Sequence, residues 1–351
     1  MKLSEEYAGY VKKKYQFILL SVVLLFVTAM YAVSVGSIHL SVWQVLSVLF
    51  EGGRGLQHVV IWNIRLPRLL AAVIAGAGLS VAGSVMQCLL KNPLGSPYTF
   101  GVSQGAAFGA AFAIVILGAG SIHSSSSDAV IVNSPLTVTG CAFLGSVIST
   151  VVILLLTRFT RITPQAMILA GVAMGSLFTA GTMLVEYFAT DIEIASIVFW
   201  TFGDVGRATW RDVYIMAVVV VAFSLYAMLN RWNYNALDAG EDSAKSLGVD
   251  VEKIRIYGML FASLVTAVAV SFLGIIGFVG LVAPHIMRRI IGSDHRFLIP
   301  ASVVGGGLLL LMSDTVARRI MAPVVLPVGI VTSFMGAPLF LYILTRRWRG
   351  I

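Results

Sequence analysis

The chain is a succession of apolar runs, nearly all long enough to cross a lipid bilayer, separated by short polar, glycine- or proline-containing breaks. A membrane helix needs about 20 mostly apolar residues, and candidate spans lie at about 16–36, 66–90, 98–118, 136–157, 164–188, 212–230, 256–273, 275–291, 297–313 and 325–345. The eighth is the weakest, because Pro284 interrupts a short run between Phe272 and Ile286. It reads as a short tilted helix or a re-entrant segment, so hydropathy alone allows nine or ten spans. With 58% hydrophobic and 11% charged residues, the chain could not cover a water-facing surface, which in soluble domains carries about 25% charge. Spanning segments must satisfy their own backbone groups. An all-α polytopic membrane bundle follows, with residues 1–351 as a single transmembrane domain.

Charge placement sets the topology. The net charge of +8 comes from basic residues at the ends of apolar runs, and none of the usual nucleic-acid motifs is present. Lys12, Lys13 and Lys14 precede the first run; Arg346, Arg347 and Arg349 follow the last. Short basic flanks stay in the cytoplasm. Both termini are therefore expected inside, which requires an even number of spans and favours ten. That threading puts Lys91, Arg158, Arg161, Arg231, Lys245, Lys253, Arg255, Arg288, Arg289 and Arg296 inside. The stretches Ser121–Asp128 and Asp191–Asp204 fall outside. Arg65, Arg68, Arg207, Arg211, Arg318 and Arg319 break the trend by landing outside. The N-terminal apolar run is too long for a signal-peptide core and reads as a retained first helix. Two loops look structured, 189–211 outside and 230–255 inside.

A faint internal repeat is present. Ile64-Arg65 and Ile254-Arg255 each open an apolar run, and Asn92-Pro93 and Ala283-Pro284 follow at similar distances. The two runs would cross in opposite directions, as in an inverted repeat of two five-helix halves.

Small residues at four-residue spacing, Gly101, Gly105 and Gly109, then Gly171 and Gly175, suit close helix crossings. Helix breakers cluster at Asn92, Pro93 and Pro97, and at Gly274, Gly277, Gly280 and Pro284. Irregular backbone at membrane depth must be buried in protein or face a water-filled path; for Pro93 and Pro97 a helix cap is an equal reading. Carboxylates are nearly absent from span interiors, which argues against an ion-coupled carrier. His285 is the one candidate there, with a plain interior histidine as the rival reading. No catalytic constellation is legible, which argues against a membrane-embedded enzyme. His285 and His295 are not at ligand spacing, and Cys88 and Cys141 form no CxxC pair, so no metal site is expected. The segment from Gly240 to Lys245-Ser246 lacks the glycine that a phosphate-binding loop places before its lysine. In the same loop Asp238 is expected to cap a helix with Glu241 three residues on. Ala244 and Leu247 would share a face with Gly240, Gly248 would end the helix, and a second short helix would start after Asp250.

Several motifs in order resemble the permease family of ABC importers for iron–siderophores, haem and vitamin B12. They are Ile64-Arg-Leu-Pro-Arg68, Gly83-Ser-Val-Met-Gln87, Lys91-Asn-Pro-Leu94 and Gly101-Val-Ser-Gln-Gly105. In the second half come Gly277-Phe-Val-Gly-Leu-Val-Ala-Pro284-His285, Asp314-Thr-Val-Ala-Arg318 and Leu326-Pro-Val-Gly329. The resemblance spans about residues 20–345 and implies a ten-helix subunit paired with a second copy. It also implies two cytoplasmic ATPase subunits docked on Asp238, Gly240, Glu241, Ala244, Leu247 and Gly248. An extracytoplasmic substrate-binding protein would meet Arg65, Arg68 and Arg318. Pathway or helix-break positions would be Gly83, Gln87, Asn92, Pro93, Gly101, Gly105, Gly280, Pro284 and His285. A cytoplasmic gate would lie at Thr163, Pro164 and Gln165, although Pro164 and Gln165 depart from the small hydroxyl residues the family often has there. ATP and Mg would bind the partner ATPase, with no cofactor on this chain, in the cytoplasmic (inner) membrane. The implied cargo is an iron(III)–siderophore or similar chelate, with vitamin B12 or haem as the alternative.

Overall fold

The computed structural model describes residues 2–36, 40–51, 55–119, 134–160 and 163–347. The expectations for Ser121–Asp128, Arg161 and Arg349 lie outside the described residues. Among the described residues, ten main helices answer the ten apolar runs: α1 (Lys2–Ser34), α4 (Leu66–Leu89), α5 (Val102–Val115), α6 (Pro135–Thr160), α7 (Pro164–Tyr187), α9 (Trp210–Leu229), α12 (Val251–Leu273), α13 (Val279–Ile291), α14 (His295–Ala317) and α15 (Val328–Arg347). Five shorter ones join them: α2 (Val42–Glu51), α3 (Leu56–Val59), α8 (Asp191–Thr201), α10 (Arg231–Ala239) and α11 (Glu241–Ser246). Among the described residues there is no strand, only an isolated bridge between Phe202 and Ile275.

Seven helices among the described residues are long and apolar enough to cross a membrane by themselves. The weak eighth run is α13, with 13 residues. At 1.5 Å per residue it is about 20 Å long, short of a hydrocarbon core of about 30 Å. The third run shortens in the same way to the 14 residues of α5. Both have the same local cause: a residue in the left-handed region sits just before the first turn, Gly101 with φ 72° and Phe278 with φ 65°. The chain therefore enters each helix from irregular backbone at depth.

This matched geometry supports two related halves, and the packing pairs repeat between them. Helix α4 lies on α14 as α12 lies on α6, and α4 meets α13 as α12 meets α5. The motif equivalence expected from sequence does not hold. Asn92-Pro93 lies in the turn after α4, whereas Pro284 lies inside α13. The better match is Gly101 with Phe278.

Other boundaries shift. Helix α1 starts at Lys2, so Lys12–Lys14 are helical and not a leading flank. The stretch before α4 holds α2, α3 and a π-helical turn over Val60–Arg65, amphipathic structure that a search for 20-residue runs passes over.

Helix α4 is the hub. It contacts α9, α12, α13 and α14, and 18 of its residues are buried. Lipid gives helices no hydrophobic reason to associate, so van der Waals contact between backbones must do so. The crossings are glycine on glycine: a Cβ on Gly76 would overlap the carbonyl of Gly306, and one on Gly83 the carbonyl of Gly280. Gly140, on the open face of α6, would meet nothing. Overpacking a close contact costs about 1–3 kcal/mol. Gly83→Leu should therefore lower the thermal midpoint of the purified protein while Gly140→Leu leaves it unchanged. Equal midpoints would contradict the crossing.

Candidate functional site

The site begins where α4 ends. Lys91 takes φ 48°, and Asn92 Oδ1 accepts the Leu94 N–H at 2.9 Å. Asn92 and Pro93 are thus a helix-ending turn, the cap reading of the two left open. Ser96 and Thr99 then close a capping box around a 3-10 turn over Pro97–Phe100. That turn presents Tyr98 and Thr99, and the Tyr98 hydroxyl donates to the Ile276 carbonyl, tying the first half to the irregular segment of the second.

These elements and α7 line a cleft with Ser96, Tyr98, Thr99, Ser103, Gln104 and Thr179 on its walls. Among the described residues no carboxylate and no basic side chain lines it. Ser103 Oγ and Gln104 Oε1 are buried without a protein partner. Helix α7 forms an open flank: of its 24 residues only Met167, Gly171, Gly175 and Phe178 are buried. Gly171 lies against the Thr99 carbonyl, which presses α7 onto the 3-10 turn.

The residues expected to line a path sit elsewhere. Gly83 and Gly280 form the α4–α13 crossing, and Gln87 Nε2 donates to the Leu281 carbonyl at 3.3 Å. Gly101 and Gly105 seat α5 against α7 and α6. Pro284 is buried within α13 and His285 is half-buried beside it. They hold the cleft wall from behind. Thr163 caps α7, accepting the Ala166 N–H at 3.4 Å, and Pro164 occupies its first turn with Gln165 exposed. The cleft residues themselves were missed. Ser103-Gln104, polar inside the Gly101–Gly109 small-residue run, was the available signal.

At one end of the bundle the out-of-trend arginines gather around a buried acid. The Asp314 side chain is 0% exposed. Arg68 donates to its Oδ1 from Nε at 3.0 Å and Nη2 at 2.8 Å, and pairs with Asp204 at 3.5 Å. Arg318 Nε lies 3.0 Å from Oδ2, an ion pair without hydrogen-bond alignment. Arg318 Nη1 also donates to the carbonyls of Ala32 and Val35 at 3.0 Å each. Arg65 is buried and donates to the carbonyls of Val33 and Ser34. The three arginines expected to meet a binding protein thus all make contacts within the chain: Arg65, Arg68 and Arg318 fasten α1, α4 and α14 to one another. Among the described residues, Arg211 and Arg319 are exposed basic residues at this end.

The short helix pair α10–α11 follows α9. Asp238 does not cap a helix, because α10 already runs through it. Its carboxylate lies 3.2 Å from His295 Nε2 and 3.6 Å from Arg288. Burial opposes its ionisation, but the hydrogen bonds and charges of these partners win and hold its carboxyl below the usual range. Asn235 ties α10 to the start of α14, bonding Asp294 Oδ1 at 2.9 Å and the His295 N–H at 2.8 Å. Asp294 is partly desolvated, yet hydrogen bonds from Arg296 and Asn235 bring its carboxyl down to about 2. Gly240, with φ 133°, is the hinge between the two helices. Glu241 accepts from Arg255 and lies 3.8 Å from Lys91.

Ala244 is fully buried while Leu247 is 73% exposed, so the two do not share a face. Gly248 ends α11 with φ 82°. Its N–H bonds to Lys245 O and that of Val249 to Ala244 O, each at 3.0 Å, a Schellman-type stop. The expected second short helix is instead the start of α12, capped by Asp250.

Comparison with known proteins decides the class. The profile of the FecCD transport family matches residues 24–346. The chain belongs to the FecCD transport family. This FecCD permease is 55% identical over 351 residues, all of both chains, to a protein of Methanocaldococcus jannaschii named as a candidate ABC transporter permease. It is 35% identical over 313 residues, 89% of this chain and 91% of the other, to the vitamin B12 import system permease of Vibrio cholerae. A solved inward-facing structure of a candidate metal-chelate type ABC transporter superposes with a TM-score of 0.81 at 29% identity, covering 94% of this chain and 99% of that one. The protein is thus an integral membrane permease of the type II ABC importer class, as the motif resemblance expects.

Removing one member of a buried charge group costs about 3–5 kcal/mol, because the partners stay buried and uncompensated. Asp314→Ala in the FecCD permease should therefore lose several kcal/mol of stability, read as a lower thermal midpoint and poor recovery from detergent. Arg319→Ala, exposed beside it, should change neither. An unaffected Asp314→Ala would remove the internal role of the arginines.

Proposed function

We propose that this permease carries a bulky metal chelate, an iron(III)–siderophore in the first instance, driven by ATP that separate subunits hydrolyse. The observation that supports this most directly is the neutral, polar-lined cleft beside an outward-facing α7. A second copy of the chain packed against α7 would close the cleft into a pathway between two subunits. Neutral walls with a few hydroxyl and amide groups suit a large cargo that must leave as easily as it enters, and they lack the carboxylates an ion-coupled carrier needs. The likeness to a metal-chelate type transporter points the same way. The vitamin B12 permease among the relatives makes a corrinoid the alternative cargo. We place both termini and α10–α11 in the cytoplasm on the basic-flank argument.

Two ATPase subunits would dock on α10–α11. Trp232 on α10 and Leu247 after α11 are the large apolar side chains this pair leaves exposed, and the Gly248 stop holds Leu247 there. Gly240 hinges the pair, and Asp238, Glu241 and Ala244 fix it to the body of the protein. ATP and Mg would reside on the ATPase, because Lys245 lies in the last turn of α11 and not at a helix start where a phosphate loop presents its lysine. A substrate-binding protein would dock on the opposite face. Arg65, Arg68 and Arg318 would support that face from within while Arg211 and Arg319 meet acidic groups on the incoming surface.

The test is co-purification with the cognate ATPase. Leu247→Glu should abolish retention of the ATPase while leaving helix content and thermal midpoint intact. Gly248→Ala strains only the backbone, since its Cβ would meet nothing, and should weaken retention by about 1–3 kcal/mol at most. Full retention by Leu247→Glu would remove α11 from the docking surface.

A further inference from the structure

Beneath α10 three elements bring together a thiol, an imidazole and a carboxylate that no sequence spacing connects. Cys88 comes from the last turn of α4, Asp238 from α10 and His295 from the first residue of α14. Their ligand atoms all lie within 4.8 Å of one another. His295 Nε2 faces Asp238 Oδ2 at 3.2 Å, and the His295 side chain is 0% exposed. Cys88 Sγ makes a long contact to the Tyr234 carbonyl at 3.5 Å and also hydrogen-bonds to the Asp238 carboxylate. The cluster is incompletely satisfied, since His295 Nδ1 and Arg288 Nη2 are buried with no partner. Asp238, 28% exposed, gives access from solvent.

We infer that Cys88, Asp238 and His295 form a site for a divalent transition-metal ion of the zinc or iron(II) class, which pins α10 to α4 and α14. Thiolate, imidazole and carboxylate together favour such ions over magnesium or calcium, which take oxygen ligands. Around a tetrahedral ion with bonds of about 2.0–2.3 Å, neighbouring ligand atoms lie about 3.3–3.7 Å apart. The His295–Asp238 separation already fits, and the thiol needs to close by at most about 1 Å. The thiol proton leaves to solvent as the sulfur binds, and the fourth position stays open to water on the Asp238 side. Arg288, 3.6 Å from Asp238, would give up that contact and turn to the water-facing ligand. The ion would link the hub helix to the pair proposed above to carry the ATPase. On that reading, a metal released in the cytoplasm would stiffen the coupling element and slow further import.

The test uses the purified full-length chain and Co²⁺ as the probe. The expected result is one Co²⁺ bound per chain with a sulfur-to-cobalt charge-transfer band, displaced by Zn²⁺. The band should persist in Cys141→Ser, which removes the other cysteine, and vanish in Cys88→Ser. Zn²⁺ should raise the thermal midpoint of the wild type and of Cys141→Ser but not of Cys88→Ser. Cys88→Ser is nearly isosteric, so it keeps the fold, and its midpoint without metal verifies this. No band in the wild type, or a band surviving in Cys88→Ser, overturns the site. The brake is read separately, as a fall in ATPase rate of the assembled transporter on adding Zn²⁺ that Cys88→Ser abolishes. Metal bound with the rate unchanged refutes the brake; failure of the ATPase to assemble refutes the docking reading and leaves the binding result standing.

Discussion

Contact of helix backbones along α4 is the constraint on which everything else depends. In a bilayer, leaving lipid for protein gains a helix little unless its surface fits closely. Gly76 against Gly306 and Gly83 against Gly280 supply that fit, bringing α14 and α13 onto the hub. Because α13 is held there, its irregular lead-in Gly274–Phe278 lies where Tyr98 can bond Ile276. Because α14 is held there, Asp314 at one end and His295 at the other are fixed to α4, through Arg68 and beside Cys88 respectively. The cleft, the charged end and the seat of α10 are thus three regions arranged on one set of helix crossings.

This arrangement explains why the two ends of the bundle differ. At the Asp314 end, guanidinium groups satisfy carbonyls left open where α1 stops, and the buried acid balances part of their charge. The arginines thus clamp α1, α4 and α14 together at this end. At the other end, the polar contacts of Asn235, Asp238 and Glu241 hold α10–α11 while Leu247 projects outward. A lever needs such an element, fixed at its base and free at its tip.

Helix number and order were legible because apolar run length is a one-dimensional property. The short helices α5 and α13 were partly legible. Pro284 signalled a weak eighth run, but the actual cause, a left-handed residue at Phe278, leaves no mark in composition. Helices α2, α3 and α10 were not legible, being too short or too polar to register as spans. Gly248 could be read as a stop because glycine is suited to the left-handed conformation found there. Local spacing suggests a cap at Asp238, whereas its partner His295 lies on another helix. The same distance hid the Cys88–Asp238–His295 cluster and the burial of Arg65, Arg68 and Arg318, which only tertiary contact reveals.

The most direct test of the account is uptake into proteoliposomes holding this chain with its ABC ATPase, with the cargo-loaded binding protein outside and ATP inside. A labelled iron(III)–siderophore and labelled cobalamin would serve as alternative cargoes. The account predicts accumulation of one of them that requires ATP hydrolysis and is insensitive to collapse of proton and sodium gradients. Accumulation by the chain alone, driven by an ion gradient without ATPase or ATP, would contradict it.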